Sequence, residues 1–304
     1  MNIKEINEDF SYLLLPLTEK NIKQRLINKG KKIDTGFTIE REKLLLPPGA
    51  ITILAAPTSH GKTTLLINFA LNIAKIYPEK SMYFFSYEED VDMIFIKALS
   101  IYIGNSISTN NLDTLRNYFI EGNENSINQK CIISKDTFFE EFINNKRLNI
   151  HYVNYDTDTL IEAIRYLSKQ ANPGAIFIDY IQLLNLSKDK YKFYSRQEEL
   201  KQICISLKNV AVETGLSIIL ASQFNRTVTN HMELESIRLG EAGDLERIAN
   251  LIVAFWNNDF PSSSLKEAGD PGTIYCSILK NREGKVGLKE SLKYQSNTGK
   301  ISNF

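Results

Sequence analysis

The segment Ala56-Pro57-Thr58-Ser59-His60-Gly61-Lys62-Thr63 joins an apolar run, Ile51-Thr52-Ile53-Leu54-Ala55, to Thr64-Leu65-Leu66-Ile67-Asn68-Phe69-Ala70. Strand, tight loop and helix in that order turn successive backbone N–H groups inward, an anion nest at a helix N-terminus. Lys62 can then reach the β and γ phosphates of a nucleotide, and the Thr63 hydroxyl can sit on Mg²⁺. The candidate phosphate cradle is the whole run from Ala56 to Thr64. Ala56 departs from the G-x-x-x-x-G-K-[ST] pattern, which has glycine there. The bland alternative is an ordinary helix start that happens to read Gly-Lys-Thr.

Three more segments end with polar groups where a nucleotide could meet them. Ala175-Ile176-Phe177-Ile178 is a buried strand closed by Asp179, a carboxylate at the C-terminal edge of a sheet, where open α/β folds bind ligands. Asp179 is therefore a candidate for the Mg²⁺ side of the site. Met82-Tyr83-Phe84-Phe85-Ser86-Tyr87 runs into Glu88-Glu89-Asp90. Glu88, with Glu89 second, can polarise an attacking water, whereas a helix N-cap cluster is the structural alternative. Leu220-Ala221-Ser222 leads to Gln223, whose amide can sense a γ-phosphate. The polar stretch 227–238 beyond it suits a nucleotide-driven lever.

These segments need a frame. Apolar runs at 51–55, 82–86, 150–153, 175–179, 217–221, 251–255 and 273–279 read as strands. Helical patterns at 62–76, 91–102, 138–145, 159–170, 196–214 and 244–248 alternate with them. Continuously apolar strands indicate an α/β fold whose mainly parallel sheet is covered on both faces. Asn281-Arg282-Glu283-Gly284-Lys285 signals a C-terminal β-hairpin with 286–294 as its return. Residues 105–134, rich in Asn, Ser and Thr, read as a surface excursion with at most one helix near 112–119. Asp34-Thr35-Gly36-Phe37 and Pro47-Pro48-Gly49 read as turns. Residues 18–32 read as a short basic helix with the thin apolar stripe Ile22, Leu26 and Ile27. We divide the chain into an extension, 1–34, and a catalytic domain, 35–304.

Composition narrows the classes. The chain has 304 residues, 43% of them hydrophobic, and no apolar run long enough to span a membrane. Its N-terminus reads as no signal peptide. Cys131, Cys204 and Cys276 are far apart, which suits isolated thiols in a reducing, cytoplasmic setting. With 36 basic and 36 acidic residues the formal charge is zero, which argues against non-specific coating of DNA but leaves room for basic loops.

Taken in order, the segments above resemble the C-terminal motor domain of DnaB-type replicative helicases, within the RecA-like P-loop ATPases. The match runs from about Thr35 to Phe304. It rests on Thr35-Gly36-Phe37, the phosphate loop, Phe85-Ser86-Tyr87-Glu88, Asp179-Tyr180-Ile181-Gln182-Leu183, Ser222-Gln223-Phe224-Asn225-Arg226, Gly240-Glu241-Ala242-Gly243-Asp244-Leu245-Glu246 and Lys280-Asn281-Arg282-Glu283-Gly284. That family tolerates Ala at the first phosphate-loop position.

The resemblance implies a hexameric ring with ATP and Mg²⁺ between subunits. It implies Lys62 and Thr63 on the phosphates and metal, Glu88 as base, Asp179 on the metal side, and Gln223 as sensor. Lys280 and Arg282 would act in trans on the neighbour's γ-phosphate. It also implies single-stranded DNA in the ring, with a primase or loader as candidate partners, and makes the 18–32 helix a linker. The family's N-terminal collar has no counterpart, so a stand-alone motor is expected. The candidate DNA contacts are Lys188, Lys190 and Lys192, interleaved with Tyr191, Phe193 and Tyr194, and Arg238, Gly240, Glu241 and Gly243. Gly240 stands where the family carries an arginine. The competing class is a RecA-like ATPase that serves as a recombination, loader or defence switch without unwinding. A small-molecule kinase fits less well, since no acceptor pocket is marked.

Overall fold

The computed structural model describes residues 18–20, 22, 23, 27, 30–104, 112–122, 129–187, 195–223, 234, 243–259 and 271–304. Contacts divide the chain into two units, Met1–Lys31 and Lys32–Phe304. In the first, Glu19, Lys20, Ile22, Lys23 and Ile27 are helical, with Ile22 and Ile27 exposed, and Leu26 lies outside the described residues.

The second unit begins with an antiparallel ribbon, β1 (Ile33–Ile39) and β2 (Glu42–Leu46). Asp34-Thr35-Gly36-Phe37 is therefore strand and not the expected turn. The reason is a bulge: the pairing register shifts between Asp34 and Thr38. Gly36 takes φ 77° there, packed against Asn72, so a turn-like glycine serves inside a strand. Thr35 donates its hydroxyl to Leu44 O at 2.8 Å, and Phe37 is buried.

After the ribbon come β3 (Ala50–Ala56), α1 (Lys62–Ile76), β4 (Ser81–Ser86) and α2 (Val91–Ile103). Next are α3 (Leu112–Glu121), α4 (Gln129–Phe138), a π-helical turn at Phe139–Asn144 and β5 (Leu148–Tyr152). Then follow α5 (Thr157–Gln170), β6 (Pro173–Asp179), α6 (Arg196–Thr214), β7 (Ser217–Gln223) and α7 (Gly243–Ile248). The chain closes with β8 (Leu251–Asn257), β9 (Thr273–Asn281), β10 (Lys289–Gln295) and β11 (Lys300–Ser302).

Among the described residues the sheet has nine strands in the order β11-β10-β9-β8-β3-β7-β6-β4-β5. From β5 to β8 all neighbours are parallel, and β8 to β11 are antiparallel. The expected α/β architecture with a C-terminal hairpin is thus present. In the region 105–134, α3 is the helix expected near 112–119, and the departure is α4: among the described residues Leu115, Tyr118 and Cys131 are buried in the same core as Phe138 and Phe142. Sparse apolar residues at helical spacing suffice when a neighbouring aromatic cluster receives them.

Each central strand feeds two cores by strict alternation. In β3, Leu54 and Ala56 join the core around α1, whereas Ile51, Ile53 and Ala55 join the one around α6. In β6, Ala175 and Phe177 take the α1 side, and Ile176 and Ile178 the other. The period of two carries Asp179 to the α1 face, where the phosphate-loop helix begins. The same parity takes Gln223 there after Ile219 and Ala221.

Candidate nucleotide site at the carboxyl edge of the sheet

Strand pairing sets the site. Ala56 is level with Gln223 across the β3–β7 pair, and Ser86 with Asp179 across β4–β6. Ala56 is the last residue of β3, buried and regularly paired. That position needs no left-handed backbone, so Ala serves where the pattern has Gly. The loop makes its sharp turns later, at Ser59 (φ 65°) and Gly61 (φ 80°). Gly61 is the N-cap of α1 and, with no Cβ, takes this backbone without strain.

Lys62 Nζ donates to Pro57 O at 3.2 Å across the loop. Burial pushes the Lys62 amine below its ordinary pKa, while the carboxylates of Asp179 and Glu88 pull it back up. Thr63 donates its hydroxyl to Asp179 Oδ2 at 2.5 Å, and Asp179 is fully buried. Its second oxygen, Oδ1, is buried without a partner. Burial, with the charges of Glu88 and Glu89, raises the Asp179 carboxyl to about 6, against the Thr63 bond and Lys62. Among the described residues no group of three His, Cys, Asp or Glu could hold a metal alone. Thr63 and Asp179 suit a cation that shares its shell with phosphate oxygens and water, the habit of Mg²⁺. The orphaned Oδ1 has a free lone pair to offer such an ion.

The acids after β4 divide their roles. Asp90 caps α2 by accepting from Met93 N at 2.8 Å, and Ser86 Oγ accepts from Glu89 N. Glu89 is ion-paired with Lys97 at 2.5 Å. The capping alternative thus accounts for Asp90 and occupies Glu89. Glu88 remains exposed and, among the described residues, has no ion pair. Tyr87 N donates to Asp179 O at 2.8 Å, which holds the turn carrying Glu88 beside Asp179.

Gln223 Nε2 donates to Thr58 Oγ1, so the end of β7 touches the phosphate loop directly. Behind it Gln182 donates to Ser222 Oγ at 3.2 Å. His60 is buried against Trp256 with ring centroids 4.4 Å apart, and its Nδ1 accepts from Asn257 N–H at 3.1 Å. Burial and the Lys62 charge hold the His60 imidazole at a pKa of about 4, so at neutral pH it is an uncharged tie between the loop and β8.

Lys280 and Arg282 lie elsewhere. Asn281 is level with Leu251, and Leu251 with Thr52. That is four strand residues short of Ala56, roughly 13 Å along the sheet, toward the edge opposite the phosphate loop. Lys280 Nζ donates to Glu246 O, and Arg282 Nη2 to Arg247 O at 2.7 Å. Of the candidate DNA contacts, Gly243 is the first residue of α7. Lys188, Lys190, Lys192, Arg238, Gly240 and Glu241 lie outside the described residues. The described residues on either side of 188–194 are joined to one another. Arg196 donates to Gln182 O at 2.9 Å and Leu184 O at 2.6 Å, and Glu199 accepts from Leu186 N at 2.8 Å.

Two structural partners of the site carried no motif. Asn68 on α1 donates to Thr64 O and Gly299 O and accepts from Ile301 N, all within 2.9 Å, which clamps the phosphate-loop helix to β11. Lys208 on α6 donates to Ile248 O at 3.2 Å. The ties to β11 and to Ile248 are not local, so no spacing rule points to them.

A family model for the DnaB-like helicase C terminal domain matches residues 33–303. The chain belongs to the DnaB-like helicase C-terminal domain family. Among its relatives, the replicative DNA helicase DnaB of Mycoplasma genitalium is 30% identical over 259 residues, covering 83% of this chain and 52% of the relative. A probable plasmid replicative DNA helicase of Chlamydia psittaci is 27% identical, covering 89% and 55%. This DnaB-like chain thus spans about half the length of the curated relatives it matches. In fold it resembles a solved ATPase domain, with a TM-score of 0.71 at 21% identity, covering 94% of this chain and 96% of that one. A DnaB-like replicative helicase studied with its interactions with primase gives 0.70 at 20% identity, covering 95% and 67%. The DnaB-like fold here is therefore the RecA-like ATPase fold. Among the described residues no helix is long and apolar enough to cross a membrane.

Proposed function

We propose that this chain is an ATP-hydrolysing motor of the DnaB type, which assembles as a hexameric ring in the cytoplasm and moves on single-stranded DNA. A primase or loader is the partner class that fits. The observation that carries this reading is the Thr63–Asp179 pair with its orphaned Oδ1, beside the half-buried Lys62, in a chain of this family.

In this reading the backbone N–H groups of Thr58 to Thr64 cradle the phosphates, and Lys62 leaves Pro57 O for the β and γ oxygens. Thr63 and Asp179 would hold Mg²⁺, which supplies charge neutralisation at the phosphates when bound. Glu88 takes a proton from a water whose oxygen attacks the γ-phosphorus, and the bond to the ADP oxygen breaks. Gln223 reports the γ-phosphate through its contact with Thr58. Lys280 and Arg282, bonded to Glu246 O and Arg247 O away from their own phosphate loop, serve a neighbouring copy in this reading. The contacts to DNA fall to the segments 188–194 and 238–243.

The test is ATP hydrolysis by the full chain with and without a thymidine oligonucleotide. The reading requires stimulation by the oligonucleotide, displacement of an annealed strand, and loss of both in Lys62→Ala. Hydrolysis indifferent to DNA, with no displacement, would instead identify a switch of the same fold.

A further inference from the structure

Three cations converge on the carboxyl end of α7 and occupy three successive carbonyls. Lys280 takes Glu246 O, Arg282 takes Arg247 O, and Lys208 takes Ile248 O. They come from two separate elements, β9 with the turn after it, and α6. A short helix offers at most about half a negative charge at its carboxyl end, less than a single cation carries. Three full charges exceed that, and they repel one another. Burial, with the charge of Arg282, lowers the pKa of both Lys208 and Lys280, and the nearby Glu246 carboxylate opposes this only at Lys280. Among the described residues Glu246 is the carboxylate set against Lys280, and three positive charges gathered in this way suit a polyanion arriving from outside the chain.

We propose that Lys208 completes, with Lys280 and Arg282, a three-cation patch that each copy presents to the terminal phosphates of the triphosphate bound by its neighbour, the carboxyl end of α7 holding the patch together until the neighbour docks. This rests on the trans reading of Lys280 and Arg282 given above. Lys208 thereby becomes a phosphate-facing group contributed by α6, a helix that supplies none of the motifs.

Lys208→Gln separates charge from capping, because the amide keeps a donor for Ile248 O and loses the charge. With ATP and a thymidine oligonucleotide, the proposal expects kcat to fall about tenfold or more, with KM for ATP changed less than about twofold. Lys208→Arg keeps most of the rate. Mixing Lys208→Gln with Lys62→Ala copies restores turnover, since the second variant still presents all three cations to an intact phosphate loop. A Lys208→Gln rate equal to the parent, or a loss that mixing does not relieve, overturns the assignment of Lys208. Arg282→Ala runs alongside. If it is inactive while Lys208→Gln is not, only Lys208 is excluded; if it hydrolyses at the parent rate, the trans reading itself falls.

Discussion

At the scale of single residues, the chemistry depends on which acid after β4 stays available. Glu89 is committed to Lys97, and Asp90 to the α2 cap, so the two glutamates should behave differently. Glu88→Gln is expected to bind ATP normally and lose about 10²–10⁴ in kcat, whereas Glu89→Gln keeps kcat within about tenfold; single-turnover hydrolysis reads both. His60 gives a second residue-scale prediction. Its native pKa of about 4 lies below the ordinary 6.5. The unfolded chain therefore takes up a proton between these values and the native chain does not. Stability contributed by neutral His60 is complete above about pH 6.5 and is lost as pH falls toward 4, on the order of 3 kcal/mol in all. His60→Asn keeps an acceptor but does not titrate. Urea unfolding at pH 7 and pH 4.5 should show a smaller difference for His60→Asn than for the parent chain. Equal differences would mean that His60 is not buried as described.

At the scale of elements, the sequence shows where strands end but not what braces them. The phosphate loop, Asp179 and Gln223 were legible because each closes a buried apolar strand, and strand parity then brings the last two to the α1 face. α1 itself was legible through its apolar stripe, yet its burial on several sides was not. Phe69 meets Phe37 of the ribbon at 4.9 Å, and Asn68 meets β11. Those partners are more than 30 and more than 200 residues away, beyond the reach of any local pattern. The ribbon was missed because its bulge glycine looks like a turn, and α4 because its polar composition hides a few well-placed core contacts, whereas α3 falls where a helix was expected. Asn68 supplies the element-scale prediction. Its side chain satisfies three backbone groups, so Asn68→Ala should destabilise the chain by about 2 kcal/mol or more, measured by denaturant unfolding. It should also weaken binding of a fluorescent ATP analogue, because α1 positions the loop. A stability change below about 0.5 kcal/mol would show that the clamp is dispensable.

At the scale of the whole molecule, the phosphate loop and the cations Lys208, Lys280 and Arg282 belong to different edges of one sheet. The phosphate loop leaves the carboxyl edge of the parallel strands, and the cations gather near the amino edge, beside the first residues of β8. In the proposed reading these are the two halves of one triphosphate site, which a second copy of the chain completes. The account therefore predicts assembly that responds to nucleotide. The most direct measurement images particles of the full chain with a non-hydrolysable ATP analogue and a thymidine oligonucleotide. The account predicts closed six-membered rings in which the phosphates bound by one copy face Arg282 of the next. Single copies that carry the analogue with nothing set against its γ-phosphate would contradict it.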